Sequence, residues 1–158
     1  MNKRFNDYLS SLTPRKRDLA QEAISEFLKG ESDSIQQIHT ATQVYNLCRD
    51  LNLLDTENFE ILMLNQNYKL IKRETISQGG LTETAVDIRI IMRECLLNNA
   101  TVLICVHNHP SGNIVPSRCD DELTKSIKKA ADIMRIHFSD HVIIGDGAYY
   151  SYRESGKI

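Results

Sequence analysis

Val106 to Asp121 reads VHNHPSGNIVPSRCDD, which places two histidines, a serine and two aspartates on one short segment. His107 and His109 close an apolar run, TVLICV. Side chains two apart on a strand lie on the same face, so both imidazoles can reach one point in space. Neutral imidazole is a common biological metal ligand and suits zinc. Pro110-Ser111-Gly112 breaks the run immediately afterwards. The break sets that point at a strand end, where a cleft can open. Ser117 and Asp120 follow, so the whole pattern is H-x-H-x7-S-x2-D. Three protein ligands (His107, His109 and Asp120) plus one open position describe a catalytic rather than a structural zinc site.

Plainer roles compete for the same residues. An HxH pair taken alone most often marks where a strand leaves the core. Ser117-x-x-Asp120 fits a capping box, although that motif prefers Glu or Gln at its last position. An aspartate in a first helical turn is favoured by the helix dipole in any case. The spacing from the histidine pair is what singles these two residues out. Capping and ligation are compatible, because a cap fixes the helix start that would aim Asp120. Asp121 is the alternative ligand if the register slips by one.

The elements around this segment follow from periodicity. SLTPRKRDLAQEAISEFLKG is a helix, with Thr13 as N-cap, Pro14 at the first helical position and Gly30 at the end. Ala20, Ala23, Ile24 and Phe27 share one face of it, and ESDS follows as a linker. TATQVYNLCRDLNL is a second helix, with Val44, Leu47, Cys48 and Leu51 on one stripe. NFEILMLN and KLIKRETIS are strands joined by a turn at NQNY. TETAVDIRIIMRECLLNNA returns to helical spacing through Ile88, Ile91, Met92 and Cys95. TVLICVHNH is a buried strand. SRCDDELTKSIKKAADIMRI is a helix with Leu123, Ile127, Ala130 and Met134 inward and Lys125, Lys128 and Lys129 outward. DHVIIGDGAYYSY is a hairpin turning at Asp146-Gly147. Two helices followed by ββαβαββ make an α/β domain with helices packed on a sheet.

Composition bounds the function. A chain of 158 residues is long enough for one domain with its own core. Net charge is -2 and the pI about 6.2, which argues against a non-specific nucleic-acid binder. No stretch approaches the ~20 apolar residues of a membrane span. The N-terminus lacks the apolar core of a signal peptide, so a cytoplasmic protein is expected. Cys48, Cys95, Cys105 and Cys119 form no CxxC pair and are expected as free thiols.

With these residues in view, the chain resembles a known family. H-x-H-x7-S-x2-D is similar to the JAMM motif of the MPN/JAB metalloprotease fold. HNHPSGN...PS...D followed by DHVIIGDGAYYS resembles its bacterial RadC-like branch. The likeness runs from about Ile38 to the C-terminus, leaving residues 1–37 as an N-terminal helical arm or extension and 38–158 as the MPN/JAMM domain. It implies a mixed, mostly antiparallel sheet flanked by helices, similar to cytidine deaminases. It also implies Zn2+ held by His107, His109 and Asp120. Ser117 then positions water or stabilises an oxyanion. A glutamate from an earlier strand acts as base on a metal-activated water. Glu57 and Glu60 are the candidates. Glu57-Asn58-Phe59 matches the family's glutamate two residues before an aromatic, whereas Glu60 faces away from Phe59 and Ile61 by strand parity.

The implied activity is hydrolysis of a peptide or isopeptide bond in an unspecified protein or peptide substrate. The rival reading is a non-catalytic RadC-type accessory or binding module in DNA repair or mobile-element biology. RadC-like proteins usually carry a helix-hairpin-helix element ahead of this domain, and residues 1–37 offer one helix without a glycine-rich hairpin. AVDIRIIM also lacks the family's proline-arginine-glutamate stretch, keeping only Arg89. Direct DNA binding and the oligomeric state stay open, and no membrane association is expected. Cys105 shares the parity of His107 but reads as a small buried hydrophobe. Cys119 points elsewhere on its helical turn. His141 is given a structural role, and His39 and His137 have no evident partner.

Overall fold

A strand that is buried at every position must be covered on both faces, and two strands among the described residues meet that condition. In the computed structural model, which describes residues 10–32, 37–79 and 86–158, these are β1 (Asn58–Leu64) and β3 (Val102–Asn108). They pair antiparallel at the centre of a five-stranded sheet. β2 (Leu70–Gln78) pairs antiparallel on the far side of β1. β4 (His137–Gly145) runs parallel to β3, and β5 (Ala148–Ser151) closes the order β2-β1-β3-β4-β5. The sheet is therefore mixed and mostly antiparallel, as expected. The parallel β3/β4 pair needs a crossover, and α4 (Arg118–Ile133) supplies it.

Strand period divides the core in two. Phe59, Ile61 and Met63 of β1 join Leu103 and Cys105 of β3 under Ile127 and Ala131 of α4 and Ile91 and Cys95 of α3 (Ile88–Leu97). Leu62, Leu64, Val102, Ile104 and Val106 face the other way, against Val44 and Leu47 of α2 (Ala41–Leu47) and against Leu51. Each such Leu, Ile or Val contributes about 1.5–3 kcal/mol through removal from water. The turns obey local chemistry. Asn65 Oδ1 accepts from the amides of Asn67 and Lys69 between β1 and β2. Asp146 (φ 43°) and Gly147 (φ 77°) make the primed turn between β4 and β5.

Several boundaries differ from the periodicity reading. α1 (Pro14–Ser32) runs past Gly30 into the expected linker. Ala23 on its expected apolar face is exposed, and the side chain of Phe27 lies outside the described ones. Gln21 Nε2 donates to Leu53 O at 2.6 Å. α3 begins at Ile88, capped by the Asp87 side chain on Arg89 N, and ends at Leu97; residues 82–85 of the expected helix lie outside the described ones. On α4 the buried stripe is Asp120, Thr124, Ile127 and Ala131. Met134 is 46% exposed instead of inward, because it is the C-cap and periodicity no longer governs it there. No helix among the described residues is long and apolar enough to cross a membrane.

The expected helix TATQVYNLCRDLNL is split. The α-helix stops at Leu47, and a 3₁₀ turn covers Arg49–Leu53. Arg73 on β2 caps the break: its Nη1 donates to Leu47 O at 3.0 Å, the carbonyl that a continuing helix would give to Leu51 N, which bonds Cys48 O instead. The same guanidinium clasps Asp50 through two bonds of 2.8 Å and donates to Glu60, which also accepts from Thr75 Oγ1. Asp50 and Glu60 are both buried. Removing the one cation that joins them leaves two uncompensated carboxylates. Arg73→Met is expected to cost about 3–5 kcal/mol, read from urea unfolding. A loss below about 1 kcal/mol, the value typical of an exposed pair, would contradict this account of the network.

Candidate metal centre

The site lies at the C-terminal end of β3. His107 is buried and directly opposite Phe59 of β1, their rings stacked at 5.9 Å. His109, just past the strand, is partly exposed. Its amide donates to Ile144 O at 2.8 Å, which ties the residue to β4. The next loop returns at once: Gly112 N donates to His109 O at 2.9 Å, with Gly112 at φ +81°. This loop packs so closely on β4 that a Cβ on Gly145 would sit 2.8 Å from Gly112 O. The ring of His109 is set as well. Its Nδ1 lies 2.6 Å from Asn113 O, an obligate acceptor, so Nδ1 carries the proton and Nε2 the lone pair.

Asp120 arrives on the first turn of α4. Ser117 Oγ accepts from Asp120 N at 3.1 Å, and Asp120 Oδ2 accepts from Ser117 N at 2.7 Å. The capping box is thus complete, and it coexists with an approach to the histidines. Asp120 Oδ1 is 3.2 Å from His107 Nε2, Oδ2 is 3.5 Å from His109 Nε2, and the two Nε2 atoms are 3.0 Å apart. Ligands ~2.0–2.1 Å from a tetrahedral zinc sit roughly 3.3 Å from one another. Two imidazoles and a carboxylate at these separations fit that ion. No other group of three such residues is close enough among the described residues.

Electrostatics agree with the geometry. Burial alone would raise the Asp120 pKa, but the His107 and His109 contacts outweigh it and hold the carboxyl far below its ordinary range. The Asp120 contact raises the pKa of His109, and the charge of Glu57 adds to the effect. The pocket therefore favours a cation among its three acceptors, be it a proton or a metal ion.

Glu57 sits one residue before β1 and is half-buried. Asn108, between the two histidines, points to the opposite face and grips the chain on both sides of it: Asn58 N donates to Asn108 Oδ1 at 2.8 Å, and Asn108 Nδ2 donates to Thr56 O at 3.0 Å. Glu60 is on the Arg73 side of the sheet, away from the histidines. Ser117 is exposed at the helix start, and its hydroxyl, acting as cap acceptor, keeps its proton for donation. Asp121 turns away and accepts from Tyr152 Oη and Lys157. Cys105 is buried in the core, where burial pushes its thiol pKa well up, and Cys119 is exposed; both are free thiols, as are Cys48 and Cys95.

His141 has a larger place than its sequence reading assigned. It is wholly buried on β4, with Nε2 2.8 Å from His107 Nδ1 and Nδ1 2.6 Å from Thr124 Oγ1. Burial pushes its pKa well below the usual range, so the ring is neutral. The available signal was parity: His141 and Ile143 alternate inward on a strand beside β3. Thr124 and Asn108 carried no sequence signal.

Asp120→Asn separates the two duties of that residue. Asn still accepts from Ser117 N, so the cap is expected to lose about 1 kcal/mol or less. The anionic donor is lost, and zinc affinity should fall steeply in a chelator competition. Unchanged affinity with a frayed α4 would make Asp120 a cap alone.

A family model described as the RadC-like JAB domain matches residues 38–157. A UPF0758 protein of Porphyromonas gingivalis is 43% identical over 106 residues, covering 66% of this chain and 47% of the relative. One from Thermosynechococcus vestitus is 44% identical over 108 residues, 68% of this chain and 43% of the relative. One from Haemophilus ducreyi is 36% identical over 122 residues, 77% and 54%. The chain spans about half the length of the curated relatives it matches. The mixed sheet with flanking helices is consistent with a JAB/MPN fold. Because the matched span runs from the start of the α2 layer through the histidine strand to the end of the sheet, this protein belongs to the RadC-like JAB domain family.

Proposed function

We propose that the chain is a zinc-dependent hydrolase that cleaves a peptide or isopeptide bond. The observation that carries the reading is the convergence of His107 Nε2, His109 Nε2 and the Asp120 carboxylate at one strand end, at separations suited to a tetrahedral ion. A zinc ion held there would supply Lewis-acid polarisation of a carbonyl and acidify a water. The residues of the chain do the remainder. Glu57 takes the proton of the attacking water and later returns it to the leaving amine. Ser117 donates its hydroxyl proton to the oxyanion formed when the carbonyl is attacked. His109 and Ser117, on the open side, border the path of the substrate, while His107 and Phe59 wall the dry side. The free thiols suit a reducing compartment, the cytoplasm.

The test is a panel of peptide and isopeptide-linked substrates offered to the zinc-loaded full chain. Cleavage that a chelator abolishes and added zinc restores is the expected result. No cleavage, together with salt-sensitive DNA binding that chelator leaves unchanged, would replace the hydrolase with a binding module.

A further inference from the structure

We propose that His141 and Thr124 are positioning residues that hold His107 in the tautomer whose Nε2 lone pair faces His109 and Asp120. The consequence for metal affinity rests on the zinc reading above; the tautomer itself rests on hydrogen-bond valence. The Thr124 hydroxyl has one proton. Its oxygen lies 2.6 Å from Asp120 O, which can only accept, so the proton is committed there. The same oxygen lies 2.6 Å from His141 Nδ1, so His141 must supply the proton of that contact. His141 is wholly buried and its ring nitrogens meet an imidazole and a hydroxyl rather than a carboxylate, which holds it neutral; protonated at Nδ1, it has its lone pair at Nε2. That lone pair meets His107 Nδ1 at 2.8 Å, so His107 donates through Nδ1 and keeps Nε2 bare.

The donations thus run in one direction, from His107 to His141 to Thr124 to the Asp120 carbonyl. Both ends are residues of the candidate metal site, so one chain of bonds aligns the ring of His107 and anchors the backbone of Asp120. Water cannot take over any link. Thr124 is 1% exposed and His141 0%. His141 is further clamped between the stacked ring of Tyr152, 5.1 Å away, and the edge contact with Phe59 at 5.5 Å. Partners of this kind fix which nitrogen of a ligand histidine is free to bind.

Long-range ¹H–¹⁵N NMR of the metal-free full chain in alkaline buffer reads the tautomer of each neutral imidazole directly. The expected result is His107 protonated at Nδ1 in the wild type and in Thr124→Ser, which keeps the hydroxyl. In Thr124→Val the hydroxyl is lost without a change of shape, His141 can move its proton to Nε2, and His107 should shift toward the opposite tautomer. Zinc affinity measured by chelator competition should then fall ~10–100-fold in Thr124→Val and stay near wild type in Thr124→Ser. Protonation of wild-type His107 at Nε2 would overturn the proposal even if Thr124→Val fails to fold. So would a Thr124→Val protein with unchanged tautomer and affinity. A wild-type chain that takes up no zinc but shows the tautomer shift would support the positioning role and remove the zinc reading alone.

Discussion

Protein purified without chelator is expected to carry about one zinc per chain, and His109→Ala to carry almost none. Removing His109 leaves two ligands, His107 and Asp120, and no other described group of metal-binding side chains is near enough to replace it. The fold should survive, because His109 is partly exposed and lies just beyond the β3 ladder. Elemental analysis gives the stoichiometry, and thermal unfolding gives an independent reading. Zinc at a hundred times its Kd stabilises a folded chain by about 2.7 kcal/mol, a gain that His109→Ala should lack. Asp121→Ala is the matched control: Asp121 is engaged with Tyr152 and Lys157, so its loss should leave zinc content unchanged. If Asp121→Ala loses zinc as His109→Ala does, while Asp120→Asn keeps it, the aspartate ligand is wrong by one.

The second large effect falls on hydrolysis. Glu57→Gln should keep zinc and lower turnover by ~10²–10⁴-fold, the range of a lost general base. Gln preserves size and hydrogen bonding but takes no proton at neutral pH. The backbone of Glu57 is held on both sides by Asn108, and its own carbonyl accepts from Gly79 N at 2.7 Å, so the substitution should not move the segment. Glu60→Gln is predicted to behave in the opposite way. It should leave turnover and zinc unchanged but cost about 1.5–3 kcal/mol of stability, because it weakens a charged bond to Arg73. A Glu57→Gln enzyme with wild-type turnover would remove Glu57 from the mechanism; loss of turnover in Glu60→Gln would transfer the role.

Much of the site was legible before the fold was known, because it is encoded at short range. His107 and His109 share a face because a strand repeats every two residues. Ser117 and Asp120 meet because three residues span one helical turn. The strands and the Asp146-Gly147 turn followed from local alternation and turn chemistry in the same way, whereas the mixed sheet was implied by the family resemblance. Parity turned Glu60 away from Phe59 and Ile61, though it did not state what Glu60 would meet instead.

Tertiary structure decided what depends on partners far apart in the chain. Arg73 caps the end of α2 through a carbonyl 26 residues away. His141 reaches His107 across 34 residues, and Asn108 reaches Thr56 across 52. These pairings exist because β1 and β4 flank β3 in the sheet. Periodicity states which face a side chain takes, since backbone geometry imposes it locally. It does not state which strand lies alongside, since that is settled by burying all the apolar faces at once.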